Sequence, residues 1–145
     1  MSNLHDSTSY SMQSPNLNLV FYVHTVPVEV QFRGDTTVTE FESLVISCKA
    51  VGYPLPAVQW FRNGENLDVL RSNLEARISI STEVHMEGDS TPFVMSQLQI
   101  MCVTSDDSGI YQCSAENGYL RSHGNISVSV TSKLHHIETS MYTDL

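Results

Sequence analysis

From Pro27 to Thr131 the chain is a succession of short segments whose apolar residues fall on every second position. Val28, Val30 and Phe32 form the first set and Leu44, Ile46, Cys48 and Ala50 the second, followed by Val58 and Trp60. Ile78 with Ile80, Leu98 with Ile100, then Tyr111, Cys113 and Ala115, and finally Ile126, Val128 and Val130 complete the series. Period-two alternation places each set on one face of an extended strand. Seven or more such strands with no amphipathic helix between them predict an all-β antiparallel sandwich. The punctuation agrees: Asn63-Gly64 and Asn117-Gly118 supply hairpin turns, and Pro54 and Pro56 interrupt the chain between two strands.

The sandwich is expected over residues 26–131. Residues 1–25, dominated by Ser, Asn and Thr, read as a flexible N-terminal arm, and 132–145, where the alternation stops, as a flexible C-terminal tail. A chain of 145 residues suits one core of this size. Its seven basic and sixteen acidic residues give a net charge of -9, with no basic stripe to neutralise phosphate or anionic lipid. Nucleic acid and membrane surfaces are therefore poor partners, and neither nucleic-acid binding nor direct membrane insertion is expected. The longest apolar run, Leu19 to Val23, is too short to span a bilayer, which takes about 20 residues. It is also a poor leader, since no Lys or Arg precedes it and Asn18 interrupts it.

Cys48, Trp60 twelve residues later, and Asp107-Ser108-Gly109-Ile110-Tyr111-Gln112-Cys113 form a specific constellation. Over about Val26 to Thr131 it resembles an immunoglobulin domain of the intermediate set, a Greek-key β-sandwich. The resemblance implies a Cys48–Cys113 disulfide between the sheets, Trp60 packed on it, and a corner made by Tyr111, with all but the Tyr111 hydroxyl buried. A bridge closing that separation contributes about 4 kcal/mol on the loop-entropy model. It also implies a pair between Arg77 and Asp107. Two departures stand out. Phe41 occupies a turn where the family usually has Gly, a position that a bulky side chain resists when φ is positive. Cys102 is an odd third cysteine, read as a small buried hydrophobe or as a thiol for intermolecular pairing.

No catalytic signature is present, so no enzyme activity and no cofactor are expected. His135, His136 and Glu138 lie in the tail without the fixed geometry of a metal site, and no metal is expected. Arg33-Gly34-Asp35 has two readings: a kink where the first strand changes sheets, and an integrin motif whose guanidinium and carboxylate engage a receptor and its metal. The kink takes precedence, because the position calls for Gly and a turn-forming Asp whatever the partner. Asn125-Ile126-Ser127 is an N-glycosylation acceptor. Thr143 and Leu145 end the chain in the pattern of a PDZ ligand. The outward residues Gln59, Phe61, Ile110 and Gln112, with Tyr119 and Arg121 beside them, form a candidate contact face, since aromatic residues and Arg anchor interfaces. The expected function is protein recognition at an extracellular or cell-surface location, the partner being a receptor, an adhesion protein or a second copy. Two alternatives share the fold: a cytosolic sarcomeric or actin-associated structural module, and a noncatalytic targeting domain of a larger enzyme or receptor kinase.

Overall fold

A computed structural model describes residues 8–13, 20–70 and 76–134, with the backbone alone described at 8–13, 20–25 and 69–70. Among the described residues ten strands form two five-stranded sheets. The first sheet has the order β1-β2-β4-β8-β7, from β1 (Thr8–Gln13), β2 (Val20–Gly34), β4 (Leu44–Tyr53), β7 (Ile78–His85) and β8 (Phe93–Ile100). The second has the order β3-β10-β9-β5-β6, from β3 (Thr37–Thr39), β5 (Ala57–Arg62), β6 (Glu65–Asn66), β9 (Gly109–Glu116) and β10 (Arg121–Thr131). A four-residue helix, α1 (Leu67–Leu70), and a 3-10 turn, Ser105–Asp107, are the helical elements among the described residues. The alternation read from the sequence is the burial pattern observed: Leu44, Ile46, Cys48 and Ala50 are fully buried while their neighbours Val45, Ser47 and Lys49 are not.

Arg33-Gly34-Asp35 lies where the chain leaves one sheet for the other. Gly34 still pairs with Ile46 of β4, whereas Thr36 already accepts a hydrogen bond from Ser129 of β10 (2.9 Å). Gly34 has φ +140°, and a Cβ there would lie 2.5 Å from the Val45 carbonyl oxygen. Only glycine fits so close an approach of two backbones. Because β3 keeps the direction of β2 after crossing, it meets β10 in parallel, the one parallel pairing among the described strands.

The N-terminal arm was expected to be flexible over residues 1–25, yet Thr8–Gln13 and Val20–Thr25 pair as an antiparallel hairpin. The reason is visible in retrospect: Tyr10 and Met12 alternate with Ser, and Val20 to Val23 are strand formers. Pro27, which cannot donate to a ladder, coincides with a shift of register between Val26 and Glu29. The metal-ligand reading of His135, His136 and Glu138 and the Thr143-to-Leu145 terminus lie outside the described residues, as does most of the expected tail.

The two hairpin signals differ in outcome. Asn63 (φ +49°) and Gly64 (φ +86°) make a two-residue turn between Arg62 and Glu65. Asn117-Gly118 instead opens a four-residue loop, because the Asn117 side-chain oxygen accepts from the Tyr119 and Leu120 amides (3.1 and 2.9 Å).

Phe41 adopts φ +71° and leaves its ring 62% exposed. Its amide donates to Val103 (2.8 Å) and Val103 donates back to Glu42 (3.0 Å), so this exchange holds the turn in a conformation that the side chain disfavours. Phe41→Gly is therefore expected to raise stability by about 1 kcal/mol, read as a higher midpoint in urea at unchanged slope.

Candidate functional site

The frame that positions the outer surfaces is a cross-linked centre. Cys48 of β4 and Cys113 of β9 form a disulfide with Cα atoms 6.4 Å apart. Trp60, fully buried, donates from Nε1 to Ser96 Oγ (2.9 Å), and the Ser96 and Thr82 hydroxyls are themselves 2.9 Å apart. The polar edge of the indole is thus satisfied by the opposite sheet. Phe32 meets Trp60 edge-on with centroids 5.9 Å apart. Gly124 makes room for it, since a Cβ there would fall 2.6 Å from the Phe32 ring.

A second polar centre closes one end of the sandwich. The Asp107 carboxylate, 2% exposed, accepts from Arg62 (2.9 Å), Arg77 (3.2 Å) and the Thr104 amide (2.8 Å). The Arg77–Asp107 pair follows the resemblance; Arg62 was not anticipated. The available signal was parity, since Arg62 falls two residues after Trp60 and points to the same side. Tyr111 donates its hydroxyl to the Asp107 carbonyl (2.6 Å) and is buried whole, so the expectation of an unburied hydroxyl is corrected: the corner hydrogen bond replaces water. Cys102 is corrected likewise, being exposed with φ +51°. The ladder ends at Ile100, so the alternation that would have turned Cys102 inward no longer applies.

The candidate contact residues lie on or beside the outer face of β5, β9 and β10. The registers align Phe61 with Gln112 and Gln112 with Asn125 in one row, and Gln59 with Ser114 and His123 in the next. Ile110 pairs with Ser127 and is 53% exposed. Tyr119, exposed in the loop after β9, and Arg121, at the start of β10, stand at the rim. Arg121 grips Glu116 through both Nε and a terminal nitrogen, so its charge is already paired. A shallow concavity of about 420 Å³ runs between Gln59, Ser114, Glu116 and Arg121. Asn125 is exposed in the same rows, so any glycan on it would stand over Gln112 and Phe61.

Arg33, Gly34 and Asp35 are all exposed, and the Asp35 amide donates to Val45 (3.3 Å). Among the described residues no three His, Cys, Asp or Glu side chains converge as metal ligands, and no helix is long and apolar enough to cross a membrane.

Residues 27–117 match the family model described as "Immunoglobulin domain". The chain belongs to the immunoglobulin-domain family. Among curated proteins it is 34% identical over 122 residues to contactin-5 of Danio rerio, covering 80% of this chain and 10% of that protein. It is 29% identical over 133 residues to hemicentin-1 of Mus musculus, covering 86% of this chain and 2% of that one. The chain therefore spans a small fraction of the length of either relative. In fold it is similar to a titin Z1Z2 chimera (TM-score 0.55, 23% identity, 74% of this chain and 100% of that one). It is also similar to a chain in the complex of Dpr2 Ig1-Ig2 with DIP-Theta Ig1-Ig3 (TM-score 0.59, 18% identity, 81% and 39%). An immunoglobulin domain with these relatives is a binding or structural module.

Two predictions follow from the buried centre. Asp107→Asn leaves two guanidinium groups facing a neutral amide and is expected to cost about 3 kcal/mol in denaturant titration. Burial pushes the Tyr111 phenol above its usual value near 10, only partly offset by the adjacent Arg62. The raised folded value means that the unfolded chain ionises first. The contribution is intact below about pH 10 and is lost as pH rises through the folded value. Tyr111→Phe should cost about 1 kcal/mol at neutral pH, from the lost hydrogen bond, and lose less stability than the parent above pH 10 in thermal melts.

Proposed function

We propose that this immunoglobulin domain is a non-catalytic recognition module that engages another protein through the outer face of β5, β9 and β10. The observation that carries the reading is outward Ile110, 53% exposed on β9, two residues from the row in which Phe61 aligns with Gln112. A non-catalytic role is supported by the buried carboxylate, Asp107, whose hydrogen-bonding capacity is consumed by the fold. The Cys48–Cys113 bond supports an extracellular or cell-surface setting, where a disulfide of this kind persists. The partner is a receptor, an adhesion protein or a second copy of this chain.

The test is staining of cells by a fluorescent tetramer of the whole chain. Ile110→Asp is expected to abolish staining with an unchanged circular dichroism spectrum, because it buries an unpaired charge in the contact. Undiminished staining would refute the face. Intact mass with and without thiol alkylation, on protein from its native tissue, tests the setting. Cys48 and Cys113 found reduced and alkylatable would retire the extracellular reading in favour of a cytosolic structural one.

Arg33-Gly34-Asp35 is read as the sheet-switching kink. The support is that Gly34 is demanded by the approach of Val45 and that Asp35 is tied to the same carbonyl. Asp35→Glu, which would break an integrin ligand by lengthening the carboxylate arm, is accordingly expected to leave cell attachment unchanged; lost integrin-dependent attachment would overturn this reading.

A further inference from the structure

The edges of the two sheets are protected unequally. β6 is two residues long and runs straight into α1, and the part of β10 that β3 leaves uncovered carries the glycan acceptor Asn125. A very short strand, or a cover over it, keeps an edge from pairing with another chain. β7 is an edge of the other sheet and has neither protection among the described residues. Its eight residues, Ile78 to His85, pair with β8 in one register without a bulge, and they include no Lys, Arg, Pro or Gly. The phase of its backbone follows from one bond. The Met101 amide donates to the Arg77 carbonyl (3.0 Å), so residue 77 and every second residue after it turn their amides and carbonyls toward β8. Those of Ile78, Ile80, Thr82 and Val84 turn to the open side, where no described strand meets them. The apolar side of β7 also runs out uncovered. Ile78 is buried, but Val84, of the same parity, is 59% exposed and Met86 just beyond the strand 69%.

We propose that β7 pairs antiparallel with β7 of a second copy of this chain, about a two-fold axis at Val84. The side-chain order selects both the occupant and the axis. An axis at Glu83 would set two carboxylates directly opposite each other, which is destabilising, and an axis at Thr82 would leave Glu83 and His85 each opposite a serine. The Val84 axis sets each Glu83 carboxylate opposite the other copy's imidazole at His85, and the two Val84 side chains cover each other. Glu83 already lies 3.5 Å from His85 of its own strand, so carboxylate and imidazole alternate around the axis. Phe93 backs the imidazole, stacked at 5.5 Å, and Lys49 lies over the same ring at 4.1 Å. The axis is also seven residues from the turn that leads into Ile78, so the chain before β7 stays clear of the contact. A net charge of -9 on each copy opposes association, but physiological salt screens it beyond about 8 Å, whereas the matched groups meet at closer range.

The test is sedimentation equilibrium of the whole chain in physiological salt, with amide exchange followed by NMR. The mass is expected to rise from 16.2 kDa toward twice that value as the concentration is raised to about 1 mM, as suits a small edge contact. Exchange at Thr82 and Val84 slows about tenfold over the same range, while exchange at Ser81 and Glu83, whose amides already face β8, does not change. Val84→Lys sets two ammonium groups on the axis and abolishes the rise in mass at an unchanged melting curve. His85→Glu alone sets carboxylate against carboxylate and also loses the dimer; adding Glu83→His reverses every pair and restores it. A monomer at every concentration, a dimer that survives Val84→Lys, a dimer broken by Ile110→Asp instead, or no rescue by the second substitution would each overturn the proposal. The recognition reading of β5, β9 and β10 is judged on Ile110, so the two fail separately.

Discussion

The closure of this sandwich depends on one buried carboxylate. Asp107 sits just before β9, yet its oxygens receive the end of β5 through Arg62, the approach to β7 through Arg77, and the start of its own turn through Thr104. Its carbonyl receives Tyr111 from β9. Removing an ion from water is costly, and the cost is offset only when the remaining lone pairs find donors. Here they do: among the described residues no buried side-chain nitrogen or oxygen lacks a partner. The outer faces stand on strands whose ends this cluster fixes, so a surface that looks independent of Asp107 is registered by it.

How far the sequence could be read depended on whether a local rule continued to hold. Cys48, Trp60 and Tyr111 were legible because they lie within uninterrupted alternation and a fixed motif, and the sheet-switching place of Gly34 followed from the strand it ends. Alternation failed at Cys102, because the strand stops two residues earlier and the backbone turns into positive φ. It was overlooked at Arg62, where an arginine on an inward position looks like an error until Asp107 is seen to face it. Phe41 shows the limit of propensity: two backbone hydrogen bonds to the turn at Val103 hold a residue where glycine is preferred. The Thr8–Gln13 strand was hidden for the opposite reason, since four alternating residues among many Ser and Asn carry too little pattern until a partner strand appears beside them.

The candidate face was legible as a list of residues but not as a surface. Sequence parity says that Phe61 and Gln112 point outward; only the registers say that they stand in one row with Asn125. That row has a consequence for the glycosylation signal. A glycan rooted on the outer face at Asn125 stands at the sheet edge beside Gln112 and crowds that row, whereas one on a loop would leave it open. The acceptor and the contact residues are therefore competing claims on one surface, and occupancy of Asn125 decides between them.

Both sheets carry charged side chains, differently arranged. On the β5-β9-β10 side the two described arginines are matched, Arg62 inside by Asp107 and Arg121 at the rim by Glu116, so that face offers apolar and amide contacts with its cations spent. On the β2-β4 side Arg33 and Lys49 share their outer face with Glu29, and Glu87 lines the same groove, so acidic and basic side chains are interspersed there. In so acidic a chain, carboxylates are available nearly everywhere to a cation that needs one. Both sheets are held in a single framework fixed by Asp107 and the Cys48–Cys113 bridge.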